Sequence, residues 1–155
     1  MNINIGLTEN QRNESGEILS LALADQYILY TKTRNFHWNV KGLNFSELHA
    51  FFENQYSQLD DFIDKTAERI RQLGRVAPGS LQEFLTKTRL AEAQCGTDAH
   101  EMLAQLLKDH ETIIRQYRSD VDVLTTLGDA GNADFLTGLL ESHEKMAWML
   151  RSYLS

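Results

Sequence analysis

Apolar residues recur at helical spacing along almost the whole chain. The clearest example is the second of four long periodic stretches, whose apolar stripe consists of Phe45, Leu48, Phe52, Leu59, Ile63 and Ile70. Capping boxes and helix-ending glycines set the limits of these stretches. They predict long helices from Thr8 to about Val40, from near Asn44 to Gly74, from Asp98 to the break at "LGDAGN", and from that break to near the C-terminus.

A shorter capping box at "SLQE" predicts a fifth, short helix from Ser80 to about Thr88. No strand pattern, internal repeat or low-complexity tract interrupts the series. Four long amphipathic helices in a small protein are typical of a four-helix bundle. We therefore expect an all-α fold, with the short extra helix in the middle connection and a single domain over residues 1–155.

The composition limits the cell compartment and the kinds of binding partner that we expect. The net charge of −7 among 155 residues argues against wholesale nucleic-acid binding and favours cations. Cys95 is alone, and the start "MNINIGLTENQRNES" has neither the basic nor the apolar region of a secretory signal, so we expect a cytoplasmic location. No apolar run approaches the roughly 20 residues of a membrane span.

The second helix carries a polar face away from its apolar stripe. His49, Glu53, Asp64 and Glu68 fall within an arc of roughly 100° when each residue turns about 100°. A solvated face is the ordinary interpretation. However, Asp64 and Glu68 are like charges one turn apart, an arrangement that costs stability unless a cation lies between them. The pattern therefore favours a metal site.

One helix cannot close such a site, because His49 and Asp64 are roughly 22 Å apart along its axis. His37, at the end of the first helix, comes near His49 through the "KGLN" turn. If two chains pack their second helices antiparallel about a two-fold axis, the imidazole end of each meets the carboxylate end of the other. Mixed imidazole and carboxylate ligands suit iron, manganese or zinc.

The other histidines suggest no site within a single bundle. Intra-bundle di-iron sites use Glu-x-x-His motifs, and no His here has Glu three residues before it. His110 and His143 lie on apolar stripes and are interpreted as buried, hydrogen-bonded core residues. His100 is interpreted as a surface residue of a first helical turn.

Three segments also carry a family resemblance. "FHWNVKGLNFSELHAFFE", "IDKTAERIRQLG" and "GDAGNADFLTGLLESHEKMAWMLRSYL" resemble, in order and spacing, the Dps family, the miniferritins named for DNA-binding proteins of starved cells. The resemblance implies a ferritin-like bundle that assembles into a dodecameric shell. It implies a ferroxidase that oxidises Fe(II), preferably with hydrogen peroxide, and stores Fe(III) as a mineral that protects against oxidative damage.

The resemblance also assigns residues. It places two iron ions per intersubunit site on His37, His49, Glu53, Asp64 and Glu68, with zinc or manganese as possible substitutes. It maps a shielding tryptophan that traps oxidising equivalents onto Trp38, for which an interface aromatic is the alternative. Glu53 stands where Asp is common, which lengthens that ligand by one methylene. The acidic pore candidates are Asp129 and Asp134, each of which could instead be a helix cap.

DNA binding is expected to be weak or absent. Residues 1–31 contain Arg12 as their only base, and phosphate neutralisation needs several clustered cations. Two alternative functions remain at this point: a non-enzymatic DNA-compacting nucleoid protein, and a structural bundle whose acidic face binds divalent metal ions.

Overall fold

Five helices form the part of the chain that the structure describes, residues 3–93, 96 and 98–155 of a computed structural model. They are α1 (Glu9–Asn39), α2 (Phe45–Gln72), α3 (Leu81–Lys87), α4 (Ala99–Thr126) and α5 (Ala130–Tyr153). These ranges contain no strand. None of these helices is both long enough and apolar enough to cross a membrane. The predicted all-α fold, with a short helix between the second and third long ones, is confirmed.

The predicted helix starts are also confirmed. Thr8 and Ser80 form complete capping boxes at α1 and α3, in which side chain and backbone bond each other reciprocally. Asp98 caps α4 by accepting a hydrogen bond from the Glu101 backbone N–H at 2.9 Å. Each cap satisfies backbone donors that the first turn of a helix leaves without partners.

Gly74 ends α2 as the sequence predicts. Its φ of +81° lies in the left-handed region, where a side chain is disfavoured. A Cβ at this position would also lie 2.0 Å from the end of the exposed Ile3 side chain, which would have to move. The positive φ of the glycine therefore sets the end of α2.

Contacts between the long helices show their directions. α1 and α2 run antiparallel, with His37 beside His49 at one end and Arg12 bonded to the Leu73 carbonyl at the other. α4 runs antiparallel to α5 and also to α1. The order is therefore up, down, down, up, which requires one long crossover between α2 and α4. This is the connectivity of ferritin-like bundles, and α3 lies within the crossover.

The crossover is fixed to the bundle by a buried ionic network. Asp25 on α1 is fully buried and accepts hydrogen bonds from Thr88 and from the backbone and side chain of Arg89. Arg89 also pairs with Asp120 on α4 at 2.8 Å. Three hydrogen bonds and the opposite charge of Arg89 offset the cost of burying Asp25, although one Nη atom of Arg89 is buried without a hydrogen-bond partner among the described residues.

The core contains most of the predicted apolar positions. Leu48, Phe52 and Leu59 of the α2 stripe are buried. Two members of that stripe differ from the prediction: Phe45 is 43% exposed and Ile63 is only half-buried. Phe45 is the first residue of α2, at the edge of the α1–α2 turn, and its ring lies 5.1 Å from that of His49 on the same helix.

His110 and His143 are core residues, as predicted. Both are fully buried, and their Nδ1 atoms lie 2.9 Å apart, so one ring donates a hydrogen bond to the other. Burial lowers the pKa of His143 to about 3. Burial, followed by the neighbouring His143, lowers the pKa of His110 well below its usual value. The pair is therefore neutral in the folded protein at physiological pH.

Candidate metal centre

Two imidazoles lie face to face where α1 ends and α2 begins. The rings of His37 and His49 are stacked, with centroids 3.7 Å apart and planes inclined by 20°. His37 is buried, at 8% exposure, and His49 is half-buried. The short turn between the helices brings the two together, as the sequence predicts.

Each imidazole is held by a hydrogen bond to the backbone carbonyl of the other histidine. Nδ1 of His37 lies 2.8 Å from the carbonyl oxygen of His49, and Nδ1 of His49 lies 2.8 Å from that of His37. A carbonyl oxygen only accepts, so both Nδ1 atoms must carry a proton and donate it. In the neutral rings the lone pair is then on Nε2, which makes no hydrogen bond to any described residue. This is the tautomer and orientation in which histidine binds a metal, with its other nitrogen held by a carbonyl.

The three predicted carboxylate ligands lie on the exposed face of α2. Glu53, Asp64 and Glu68 are all exposed. None of them makes a hydrogen bond or an ion pair with another described residue. Asp64 lines a shallow groove of about 490 Å³ together with Ser57, Asp60, Asp61, Ile63 and Ala67.

The bases next to Asp64 and Glu68 are bonded to other groups. Lys65 pairs with Asp61 at 2.5 Å. Arg69 donates from Nε to the side chain of Asn132 on α5 at 2.9 Å and from an Nη atom to Gln72. Among the described residues no cation pairs with Asp64 or Glu68, and a bound cation would relieve the repulsion between these two carboxylates.

One chain does not bring all five predicted ligands together. Among the described residues, no group of three or more His, Cys, Asp and Glu side chains is close enough to hold a metal ion. The structure thus pairs His37 with His49 but leaves Glu53 one helical turn away on the exposed face, and places Asp64 and Glu68 farther along α2. How a second copy completes the set is a prediction that a single chain does not test.

An aromatic residue that the sequence prediction did not assign to the site contacts it directly. The Tyr56 ring meets the His37 ring edge-on, with centroids 5.2 Å apart and an interplanar angle of 82°. Trp38, by contrast, is 64% exposed, and its ring lies against the Arg34 guanidinium at 5.1 Å, without a ring contact to either imidazole. Tyr56 lies seven residues after His49, two helical turns, and that spacing could have revealed it.

The remaining candidates have simpler roles. Asp129 caps α5, with one oxygen accepting from the Asn132 N–H and the other from its amide. It is 5% exposed, which supports the cap and not a pore lining. His100 is exposed in the first turn of α4, and Asp134 is exposed on α5, just after its first turn. Cys95 lies outside the described residues.

Comparison with known proteins places this geometry in a family. A ferritin-like domain model matches residues 16–155. The chain is 35% identical over 139 residues to DNA protection during starvation protein 2 of Bacillus anthracis, with 90% of this chain and 95% of that protein covered. The chain belongs to the Dps family of ferritin-like proteins.

Two further similarities extend the Dps assignment. A crystal structure of the Dps protein from Vibrio cholerae O1, described as a ferritin-like diiron-carboxylate protein, superposes with a TM-score of 0.94 at 30% identity. That match covers 100% of this chain and 98% of the other. An uncharacterised low temperature-induced protein of Nostoc is 46% identical over 154 residues, covering 98% of this chain and 86% of that protein. Family and fold together support a role in iron storage or DNA protection.

Proposed function

We propose that this Dps-family chain is a ferroxidase and iron-storage protein whose iron sites form between two subunits. The observation that carries the proposal is the His37–His49 pair, in which both Nδ1 atoms are bonded to carbonyls and both Nε2 atoms are free of hydrogen bonds to described residues. The two Nε2 atoms lie side by side on two fixed rings at the edge of the bundle, where His49 is half-buried. They suit a divalent transition metal ion.

The carboxylate half of the site would come from the second copy. Asp64 and Glu68 lie on the same outward face of α2 as His49, but at the other end of the helix. An antiparallel two-fold pairing of α2 with its copy puts each imidazole end against a carboxylate end and generates two equal sites. Glu53, one turn from His49, can bind an ion on the imidazole side.

The reaction is a two-electron reduction of peroxide by two substrate ions. Two Fe(II) ions, one hydrogen peroxide and two protons give two Fe(III) ions and two water molecules. Each iron loses one electron, and the O–O bond takes both, so no hydroxyl radical is released. The Fe(III) product then hydrolyses to a mineral inside a closed homo-oligomer, for which the family predicts a dodecamer. Zinc and manganese fit the same donors.

Direct DNA binding is expected to be weak, although relatives carry names that refer to DNA protection. Arg12, the one base in residues 1–31, donates to the Leu73 carbonyl, and Arg75 binds Asn13 and Glu17. Side chains bonded within the fold are less available to neutralise phosphates. Protection would then follow from removal of Fe(II) and peroxide. The cytoplasmic location stays a prediction.

Subunit mixing tests the shared site. One variant lacks both imidazoles (His37→Ala with His49→Ala), and a second lacks both carboxylates (Asp64→Ala with Glu68→Ala). Each alone should show almost no rapid peroxide-driven Fe(II) oxidation. After dissociation, equal mixing and reassembly, random pairing makes about half the two-fold pairs mixed, and one of the two sites in each is complete. About a quarter of the wild-type rate should therefore return.

Wild-type chains taken through the same dissociation and reassembly give the reference rate. Each variant reassembled alone gives the background. If the mixture stays at background although mass spectrometry shows exchanged subunits, the ligands are not shared between chains and the intersubunit site is wrong. Inert Fe(II) binding by the wild type, without oxidation, would favour the structural metal-binding alternative.

A further inference from the structure

Four fully buried polar side chains form a connected group in the core of the bundle. They are Gln26 on α1, His110 and Tyr117 on α4, and His143 on α5, and each is 0% exposed. Gln26 donates a hydrogen bond to the Tyr117 hydroxyl at 3.0 Å, and the Tyr117 ring meets the His143 ring edge-on with centroids 5.6 Å apart. The hydrogen bond between the two Nδ1 atoms then joins His143 to His110. This core polar group links three of the four long helices.

Each imidazole of the core polar group has a second nitrogen that binds nothing among the described residues. The Nε2 atoms of His110 and His143 are both buried and both lack a hydrogen-bond partner there. In the bond between the Nδ1 atoms, one ring gives the proton and the other gives the lone pair. Because both rings are neutral, Nε2 of the first ring carries a lone pair and Nε2 of the second carries a proton. The pair therefore needs one further donor and one further acceptor.

The amide of Gln26 has a similar requirement. Its Nε2 donates to Tyr117, while its Oε1 is buried without a partner among the described residues. If the two ends of the amide are exchanged, the Tyr117 hydroxyl donates to Oε1 and Nε2 is left instead. In either orientation one end of the amide lacks a partner. Buried polar atoms that stay without a partner are costly and rare in native proteins, so the core polar group indicates a bound molecule.

The chemistry of the core polar group favours a small neutral molecule over a metal ion. The occupant must donate to one nitrogen and accept from another, and a metal ion cannot accept a hydrogen bond. A buried cation also needs a compensating negative charge. The buried carboxylates of α1 and α4, Asp25 and Asp109, are already paired with Arg89 and Lys32. Water both donates and accepts, and proteins contain about one buried water for every 27 residues, typically bonded to such polar atoms.

We propose that the core polar group binds internal water molecules, one at Nε2 of each histidine and one at the unpartnered end of the Gln26 amide. The two nitrogens of an imidazole point in different directions, so each Nε2 faces away from the shared Nδ1 contact and has its own water. One of these waters donates to the lone pair of the first ring, and the other accepts the proton of the second. The site does not depend on the proposed iron chemistry.

A high-resolution crystal structure of the assembled full-length protein at neutral pH tests the site directly. Map peaks should lie about 2.7–3.2 Å from Nε2 of His110 and from Nε2 of His143. Crystals soaked with Zn²⁺ should show no anomalous peak at either nitrogen. The proposal is wrong if the maps show buried waters elsewhere but none at these two atoms. It is also wrong if the soaked crystals place zinc on the imidazoles.

Two variants test the same waters in solution. His110→Leu with His143→Leu replaces both partners of the pair by apolar groups of similar size, a change that tends to leave stability nearly unchanged. Magnetic relaxation dispersion of the water oxygen counts water molecules that a protein holds for long times. The double variant should hold about two fewer of them per chain than the wild type.

Leu124→Ala is the matched control, because Leu124 is fully buried on the same helix as His110 and its truncation leaves an apolar space that stays dry. This variant should keep the wild-type count, and a higher count would show that empty space, not the polar atoms, holds water. An equal count in the double variant and the wild type would overturn the proposal. Light scattering checks that both variants assemble, and if the double variant does not, the wild-type crystal maps decide alone.

Discussion

The buried His110–His143 pair makes stability depend on pH in a way that one substitution can isolate. In the folded protein burial lowers the pKa of His143 to about 3, against 6.5 for an exposed imidazole. Between these two values the unfolded chain binds a proton that the folded chain does not. The free energy of unfolding therefore falls as pH falls below about 6.5, and the loss is complete only near pH 3.

The slope in that window is about 1.4 kcal/mol per pH unit for each imidazole. From pH 6.5 to pH 5, His143 alone should thus remove about 2 kcal/mol of stability. His110 acts in the same direction, because burial also lowers its pKa. His143→Gln keeps a partner for Nδ1 of His110 but removes one titrating group, so the slope should fall by about 1.4 kcal/mol per pH unit.

Urea unfolding followed by circular dichroism at pH 7, 6 and 5 measures the slope. Protein concentration is held constant, because the stability of an oligomer depends on it. His100→Gln is the matched control, since His100 is exposed on the same helix as His110 and should leave the slope unchanged. If His143→Gln and the wild type show the same slope, burial does not prevent protonation of the histidine pair in the folded protein, and the reasoning fails.

Three further predictions concern the fold, the assembly and DNA. Asp25→Asn should lower the free energy of unfolding by about 3 kcal/mol in urea titrations, because it leaves the half-buried Arg89 with one charged partner fewer. If the loss is no greater than that of the surface variant Arg118→Gln, the network does not stabilise the crossover. Light scattering at micromolar concentration should find a large closed oligomer, and a monomer would rule out a shared site. Gel shifts of duplex DNA at physiological salt and neutral pH should show no complex, whereas tight binding with steep salt dependence would reveal a basic surface.

The features that the sequence predicted well depend on neighbours along the chain. The caps at Thr8, Ser80 and Asp98 and the stop at Gly74 each need a particular residue within one helical turn. The apolar stripe of α2 predicted less accurately which residues are buried. Helical spacing shows which residues share a face, but it does not show how far that face is buried, and Phe45 in the first turn of α2 is 43% exposed.

The candidate metal centre also has some features that the sequence predicted and others that it did not. The nearness of His37 and His49 followed from a short turn between two helices. The reciprocal bonds from Nδ1 to the carbonyls did not, because they depend on the relative rotation of α1 and α2. The spacing of Tyr56, two turns after His49, places it on the same side of α2, but its contacts with His37 and Arg34 also depend on packing between the helices.

At the carboxylate end of α2, the pattern of charges in the sequence does not by itself show what the carboxylates bind. Asp64 and Glu68 one turn apart predict a cation, and the sequence places the neighbouring Lys65 and Arg69 in other directions on the helix. In the structure Asp61 binds Lys65, while Asn132 and Gln72 bind Arg69. Residues outside the predicted ligand set therefore bind the two neighbouring bases, Lys65 through an exposed ion pair of about 0.5 kcal/mol at most and Arg69 through a part-buried hydrogen bond to Asn132. A substitution of Asn132 or Asp61 would release a competing base, so the availability of the carboxylates to iron depends on side chains that no ligand motif contains.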